Sequence, residues 1–212
     1  MNEINVVHNI RDIMFHPFLY ILRGIIYCIN KPQYKEYYFS DKIIKPILIT
    51  PKCIKIKKNV VIRNNARIEG VRQYNDMVFS PSIILEENVH IEQNCHITCA
   101  DKIYIGRNTA IAANVTITDI HHPYTDVTKP IEGQNLVVRQ VIIGEDCKIN
   151  NGAVILQGVQ IGKHVTIGAN SVVMHSIPDY SVAVGSPAII IKRYNFESQK
   201  WEKTDKKGNF MK

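Results

Sequence analysis

From Ile143 onward an isoleucine or valine stands at every sixth position: Ile143, Ile149, Ile155, Ile161, Ile167 and Val173. Four residues after each opener comes a small or β-branched residue: Cys147, Ala153, Val159, Val165 and Ser171. The remaining places are mostly polar, and Gly or Asn commonly follows the opener (Gly144, Asn150, Gly162, Gly168). The same column recurs upstream in shorter runs. Ile56, Ile62 and Ile68 go with Val60 and Ala66, Leu85, Ile91 and Ile97 with Val89 and Cys95, and Ile105, Ile111 and Ile117 with Thr109 and Val115. The phase slips near residues 70–82, 99–102 and 119–141.

An amphipathic helix repeats every 3.6 residues and a half-buried strand every two. A period of six fits a short strand and a turn, repeated and stacked. Each coil then places one branched side chain inward per face, and Gly or Asn takes the positive φ of the turns. Backbone groups pair between successive coils. The stack buries a core that no single coil could bury alone. The period does not set the hand of the coil.

The two ends lack the repeat. Residues 1–50 are expected to form an N-terminal helical cap, with one or two helices from Asn9 to Tyr27 kinked near Pro17. The aromatic segment Tyr34 to Phe39 follows. A solenoid needs capped ends. Residues 51–193 are the expected β-helix, with an inserted loop at 119–140, and residues 194–212 a Lys-rich tail, read as a short helix or as disordered.

Composition narrows the picture. A chain of 212 residues suits one domain with a sizeable core. The formal charge of +7 fits either plain solubility or an anionic ligand. Aromatic residues do not interleave the basic ones as single-stranded nucleic acid requires, so no nucleic-acid partner is expected. The five cysteines are odd in number and form no C-x-x-C pair. That points to a reducing, cytoplasmic setting. Cys95-His96-x-x-Cys99 has no second half, so no metal is expected. The N-terminus does not read as a secretory signal. Residues 13–29 are apolar but interrupted by His16, Pro17, Arg23 and Gly24, too broken to span a membrane. They read as an amphipathic helix, packed on the domain or touching the inner face of a membrane.

The chemistry is expected in the loop, since long insertions in a compact domain are usually functional. It opens with His121 and His122. A positioned imidazole, with an ordinary pKa of about 6.5, can deprotonate a hydroxyl. Asp119 or a nearby carbonyl is the expected partner that fixes its tautomer. Neither a G-x-S-x-G elbow nor a cysteine nucleophile is evident, so no covalent enzyme intermediate is expected.

The stretch from Ile105 to Pro123 resembles the galactoside and maltose O-acetyltransferases of the hexapeptide-repeat family. Pro81 to Thr98 and Thr118 to Tyr124 are similar to acetyltransferases of O-antigen and capsule gene clusters. The likeness covers about residues 56–193. It implies an all-β fold, a left-handed parallel β-helix, which departs from the usual right-handed crossover. It also implies acetyl-CoA as co-substrate, a homotrimer with sites between subunits, and the histidine before the proline, His122, as general base. Carried over by position, coenzyme A contacts fall on Asn151, Ala169, His175 and Lys192, with Arg193 adjacent. Acceptor contacts fall on Glu92, with Asn94 nearby, and Tyr124 is a candidate platform for a sugar face. Three positions depart from the family pattern: Lys148 replaces a tryptophan, His175 a lysine and Glu92 an asparagine.

The expected function is O-acetylation of a sugar in a bacterial surface polysaccharide or its precursor. The alternatives are N-acetylation of a nucleotide-linked amino sugar, acetylation of a xenobiotic or small sugar, and a non-catalytic scaffold.

Overall fold

In a computed structural model of the protein, residues 21–205 and 208–211 are described. The start of the expected N-terminal helix lies outside them, and residues 21–30 are helical.

Three parallel sheets form the three faces of a coil. The first coil runs through Lys42–Ile43, Leu48–Ile49 and Ile54–Ile56, one strand on each face. The second uses Val61–Ile62, Arg67–Gly70 and Ser82–Leu85, the third His90–Ile91, His96–Cys99 and Lys102–Ile105. The fourth uses Ala110–Ile111, Thr116–Thr118 and Val141–Ile143, the fifth Lys148–Ile149, Val154–Ile155 and Gln160–Ile161. Thr166–Ile167 and Val172–Val173 begin the sixth, and Ile177 bridges to Ile161 on its third face.

The hexad columns are the registers of these sheets. On the first face Ile62, Ile91, Ile111, Ile149 and Ile167 are successive partners. On the second, Ile68, Ile97, Ile117, Ile155 and Val173 align. On the third, Ile56, Leu85, Ile105, Ile143 and Ile161 align. All of these side chains are buried. Each contributes about 1.5–3 kcal/mol relative to exposure, so the columns are the main source of stability.

The corners explain the polar places. Asn59, Asn88 and Asn108 have φ of 64°, 59° and 57°. Their amides form a ladder: Asn59 donates to Asn88 at 3.1 Å, Asn88 to Asn108 at 2.9 Å, and Asn108 to Asp146 at 2.9 Å. A second ladder runs from Asn65 through Asn94 to Asn114 at 3.3 and 3.1 Å. Asparagine tolerates this left-handed backbone better than other residues with a Cβ. Gly106 and Gly144 answer a different need. A Cβ on Gly106 would lie 2.5 Å from the Gly144 carbonyl carbon, and one on Gly144 would lie 2.6 Å from the Gly162 carbonyl oxygen.

The coil starts earlier than the hexad phase suggests. Lys42–Ile43 pairs with Val61–Ile62, and Leu48–Ile49 with Arg67–Ile68. Ile43 and Ile49 thus belong to the columns, but the turn Pro51–Cys53 adds a residue before Ile56 and hides the phase. Tyr37 is buried at this end, with Tyr27 and Tyr34 packed beside it.

The C-terminal expectation of a short helix or disorder is corrected. Ser181–Gly185 turns back into Ala188–Asn195, and Lys200–Lys203 pairs antiparallel beyond it. Lysines on the outermost strand blunt an otherwise open sheet edge. Among the described residues, no helix is long and apolar enough to cross a membrane.

Candidate active site

Both large insertions leave the coil at one corner, between its second and third faces. In the second coil it is a hairpin, Gln73–Tyr74 against Met77–Val78. In the fourth it is the longer loop, whose strands Ile120–His121 and Val137–Val138 pair antiparallel. The third coil, between them, turns tightly through Ala100 and Asp101. The insertions meet beyond it. Tyr74 Oη lies 2.6 Å from Glu132 Oε2 and 2.9 Å from the Glu132 carbonyl. Asn75 Nδ2 donates to the carbonyls of Glu132 and Gln134 at 3.2 and 3.4 Å.

The loop is internally braced. Gln134 is buried, accepts the Asp126 N–H at 3.2 Å and donates to the Asp126 carbonyl at 3.1 Å. Leu136 is buried as well. Gln140 Nε2 donates to Asp101 Oδ2 at 2.9 Å and ties the loop's exit to the third coil.

His122 follows the first loop strand and is exposed. Its Nδ1 lies 3.4 Å from Tyr74 Oη and 3.8 Å from Glu132 Oε2. The Tyr74 ring meets the imidazole edge to face at 5.3 Å. His121 pairs with Val137, and its ring contacts the exposed Tyr124 at 6.0 Å.

Asp119 is not at the imidazole, which corrects the tautomer-fixing role expected of its side chain. It is fully buried. Its Oδ1 accepts the Ala100 N–H and its Oδ2 the Asp101 N–H, each at 2.8 Å, and Cys99 Sγ donates at 3.3 Å. Strand alternation is the reason: Ile117 faces in, Thr118 out, and Asp119 in. Burial pushes its carboxyl pKa up, and the backbone N–H groups oppose that shift. Burial and the neighbouring carboxylate push the Cys99 thiol up as well.

The remaining expected site residues divide between two corners. Asn151 and Ala169 occupy the first-to-second corner in the fifth and sixth coils, where the Asn170 N–H donates to the Asn151 carbonyl at 2.8 Å. Glu92 and Asn94 share that corner in the third coil. Glu92 pairs with Arg63 at 3.6 Å. Asn94 is a rung of the second asparagine ladder, with its carbonyl and amide both engaged. His175 is exposed and lies at the second-to-third corner, as His122 does. One chain therefore does not bring the donor and acceptor candidates together around His122.

Lys192 and Arg193, adjacent in sequence, do not present their side chains to one ligand together. They are neighbours on the strand Ala188–Asn195, so their side chains leave opposite faces. Arg193 donates to the Gly208 carbonyl at 3.4 Å, and its guanidinium lies 5.9 Å from the centre of the Phe210 ring. Lys192 is exposed. Tyr74, Asn75 and Glu132 were not legible as site residues. Their only sequence signals are the phase slips, at 70–82 for Tyr74 and Asn75 and at 119–141 for Glu132.

Residues 140–175 match the family described as bacterial transferase hexapeptide (six repeats). A protein of Escherichia coli strain K12, named as a lipopolysaccharide biosynthesis O-acetyl transferase, WbbJ, is 33% identical over 180 residues, covering 76% of this chain and 92% of that one. The chain belongs to the hexapeptide-repeat acetyltransferases. It is an acyltransferase, its coil is the family's left-handed β-helix, and the donor that goes with the family is acetyl-CoA. The maltose O-acetyltransferase of Clostridium difficile 630 aligns at a TM-score of 0.51 and 26% identity, over 78% of this chain and 72% of that one. AntD, an N-acyltransferase of Bacillus cereus solved with dTDP and coenzyme A, aligns at 0.58 and 20% identity, over 74% and 85%. That second likeness concerns the fold alone.

Proposed function

We propose that this hexapeptide-repeat enzyme moves an acetyl group from acetyl-CoA to a sugar hydroxyl of a bacterial surface polysaccharide or its precursor, with His122 as general base. The observation that carries the reading is the His122 imidazole, exposed at a coil corner with its Nδ1 against two insertions, which leaves Nε2 for substrate. The similarity to WbbJ supports the acceptor class.

The hydroxyl oxygen attacks the thioester carbonyl while its proton passes to His122 Nε2. The tetrahedral oxyanion needs a donor, of which backbone N–H groups are the ordinary kind. Collapse breaks the carbon–sulfur bond, and the leaving thiolate takes the proton from the imidazolium. On this reading Asn151, Ala169, His175 and Lys192 line the donor path, and Glu92 and Tyr124 meet the acceptor. Their division between two corners supports a homotrimer, in which one chain's first-to-second corner faces the next chain's second-to-third corner. Ile21, Ile25 and Ile29 are exposed on the helical segment beside Arg23. That face suits peripheral contact with the inner side of a membrane, where a lipid-linked acceptor would lie.

The test is thiol release from acetyl-CoA, corrected for hydrolysis, with a panel of free, nucleotide-linked and lipid-linked sugars. His122→Ala should lower the rate by about 10²–10⁴-fold. Equal rates would remove the base assignment, and acetylation confined to amino sugars would replace the O-acetyl reading with the N-acetyl one.

A further inference from the structure

We infer that Tyr74 and Glu132 are positioning residues that fix the tautomer of His122, Tyr74 reaching it from the hairpin of a different coil. The inference rests on His122 being the base.

A base that works through Nε2 must carry its proton on Nδ1, and that proton needs an acceptor. Two groups lie near Nδ1: Tyr74 Oη at 3.4 Å and Glu132 Oε2 at 3.8 Å. A tyrosine hydroxyl can donate or accept, so by itself it would select neither tautomer. Here its single proton is committed. Both atoms closest to it, Glu132 Oε2 at 2.6 Å and the Glu132 carbonyl at 2.9 Å, are acceptors that cannot donate in return. The oxygen facing Nδ1 is thereby left as an acceptor only. The chain of donation runs from His122 Nδ1–H to Tyr74 Oη, and from Tyr74 O–H to Glu132. The hydrogen bond to Glu132 also pushes the Tyr74 phenol pKa up, which keeps its proton in place.

The frame holding these groups is independent of the imidazole. Asn75, at φ 49° in the hairpin turn, donates to the carbonyls of Glu132 and Gln134. The Phe79 N–H donates to the Arg72 carbonyl at 2.8 Å and closes the base of the hairpin. Once the imidazole has taken the substrate's proton, the Glu132 carboxylate lies opposite the new positive charge.

The direct test is a long-range ¹H–¹⁵N spectrum of the full chain labelled at histidine, with the His122 signals assigned by their loss in His122→Ala. It needs no acceptor. Wild type should show neutral His122 protonated at Nδ1. Tyr74→Phe keeps the ring and loses only the hydroxyl, and should move His122 toward the Nε2–H form. Glu132→Gln should move it less, because the main-chain carbonyl still takes the phenol proton. With an acceptor in hand, Tyr74→Phe should lower kcat about tenfold, as losing roughly 1.4 kcal/mol of orientation would, and leave the KM for acetyl-CoA unchanged. A wild-type spectrum in folded Tyr74→Phe would overturn this inference and leave the base assignment standing. Full activity in His122→Ala would instead overturn the base.

Discussion

The carboxylate of Asp119 accepts the backbone N–H of Ala100 at 2.8 Å, and with its other oxygen it caps Asp101. One buried side chain thus closes the tight corner of the third coil beneath the loop that its own backbone begins. Asp119→Asn leaves one of these N–H groups facing an amide N–H₂. It should cost about 1–3 kcal/mol in a urea melt. The His122 tautomer spectrum should stay as in wild type, because Asp119 does not touch the ring. A changed spectrum with unchanged stability would reverse these roles.

Gly106 and Gly144 stack with no room between coils, and Gly24 has none of this crowding. Gly106→Ala should destabilise by about 1–3 kcal/mol or more, since the obstacle is backbone that cannot rotate away. Gly24→Ala, in the helical segment with open space around it, should be neutral or gain about 0.5–1 kcal/mol. Denaturant midpoints of the two variants, moving in opposite directions, are the check.

Asp41 gives the fold a pH dependence. Its oxygens accept the N–H groups of Tyr38 at 2.7 Å and Val60 at 3.0 Å. Burial outweighs them and raises its pKa from 3.8 to about 6. The folded state therefore holds this proton more tightly than the unfolded chain does. The resulting stability is present below pH 3.8, is lost as pH rises through about 6, and is then level. The difference in unfolding free energy between wild type and Asp41→Asn should fall across that window. A difference that does not change with pH would mean that the carboxyl titrates alike in both states.

Lys192 and Arg193 should separate experimentally. If Lys192 meets a coenzyme A phosphate, Lys192→Ala raises the KM for acetyl-CoA about tenfold, the size of a lost charge-assisted contact, and more gently at high salt. Arg193→Ala should act on stability, because its guanidinium lies over Phe210 and bonds to the Gly208 carbonyl. Steady-state kinetics and thermal melts on both variants would expose any exchange of these effects.

Much of the fold was legible because one physical rule, a branched residue inward every sixth place, repeats along the chain. The rule failed where the turn Pro51–Cys53 adds a residue and puts Ile43 and Ile49 out of phase. It was silent on Lys200–Lys203, whose pattern is set by a sheet edge and not by a core. In the site, the break in the repeat marked the histidine loop. Proximity in sequence to the histidines suggests a triad-like role for Asp119, but two places after Ile117 it points inward. The contact of Tyr74 with Glu132 joins residues 58 apart. Neither residue has a local pattern that predicts the other.

The placement of both insertions at one corner has a consequence for how such a protein can change. The asparagine ladders and stacked glycines tie successive coils together at the other two corners, so an insertion or deletion there would break a ladder or a stack. Length can change most freely at the second-to-third corner, where the hairpin, the long loop and the extra residue of Pro51–Cys53 all sit. On the proposed reading, a change of acceptor would be written first in those two excursions, which carry Tyr74, His122 and Tyr124.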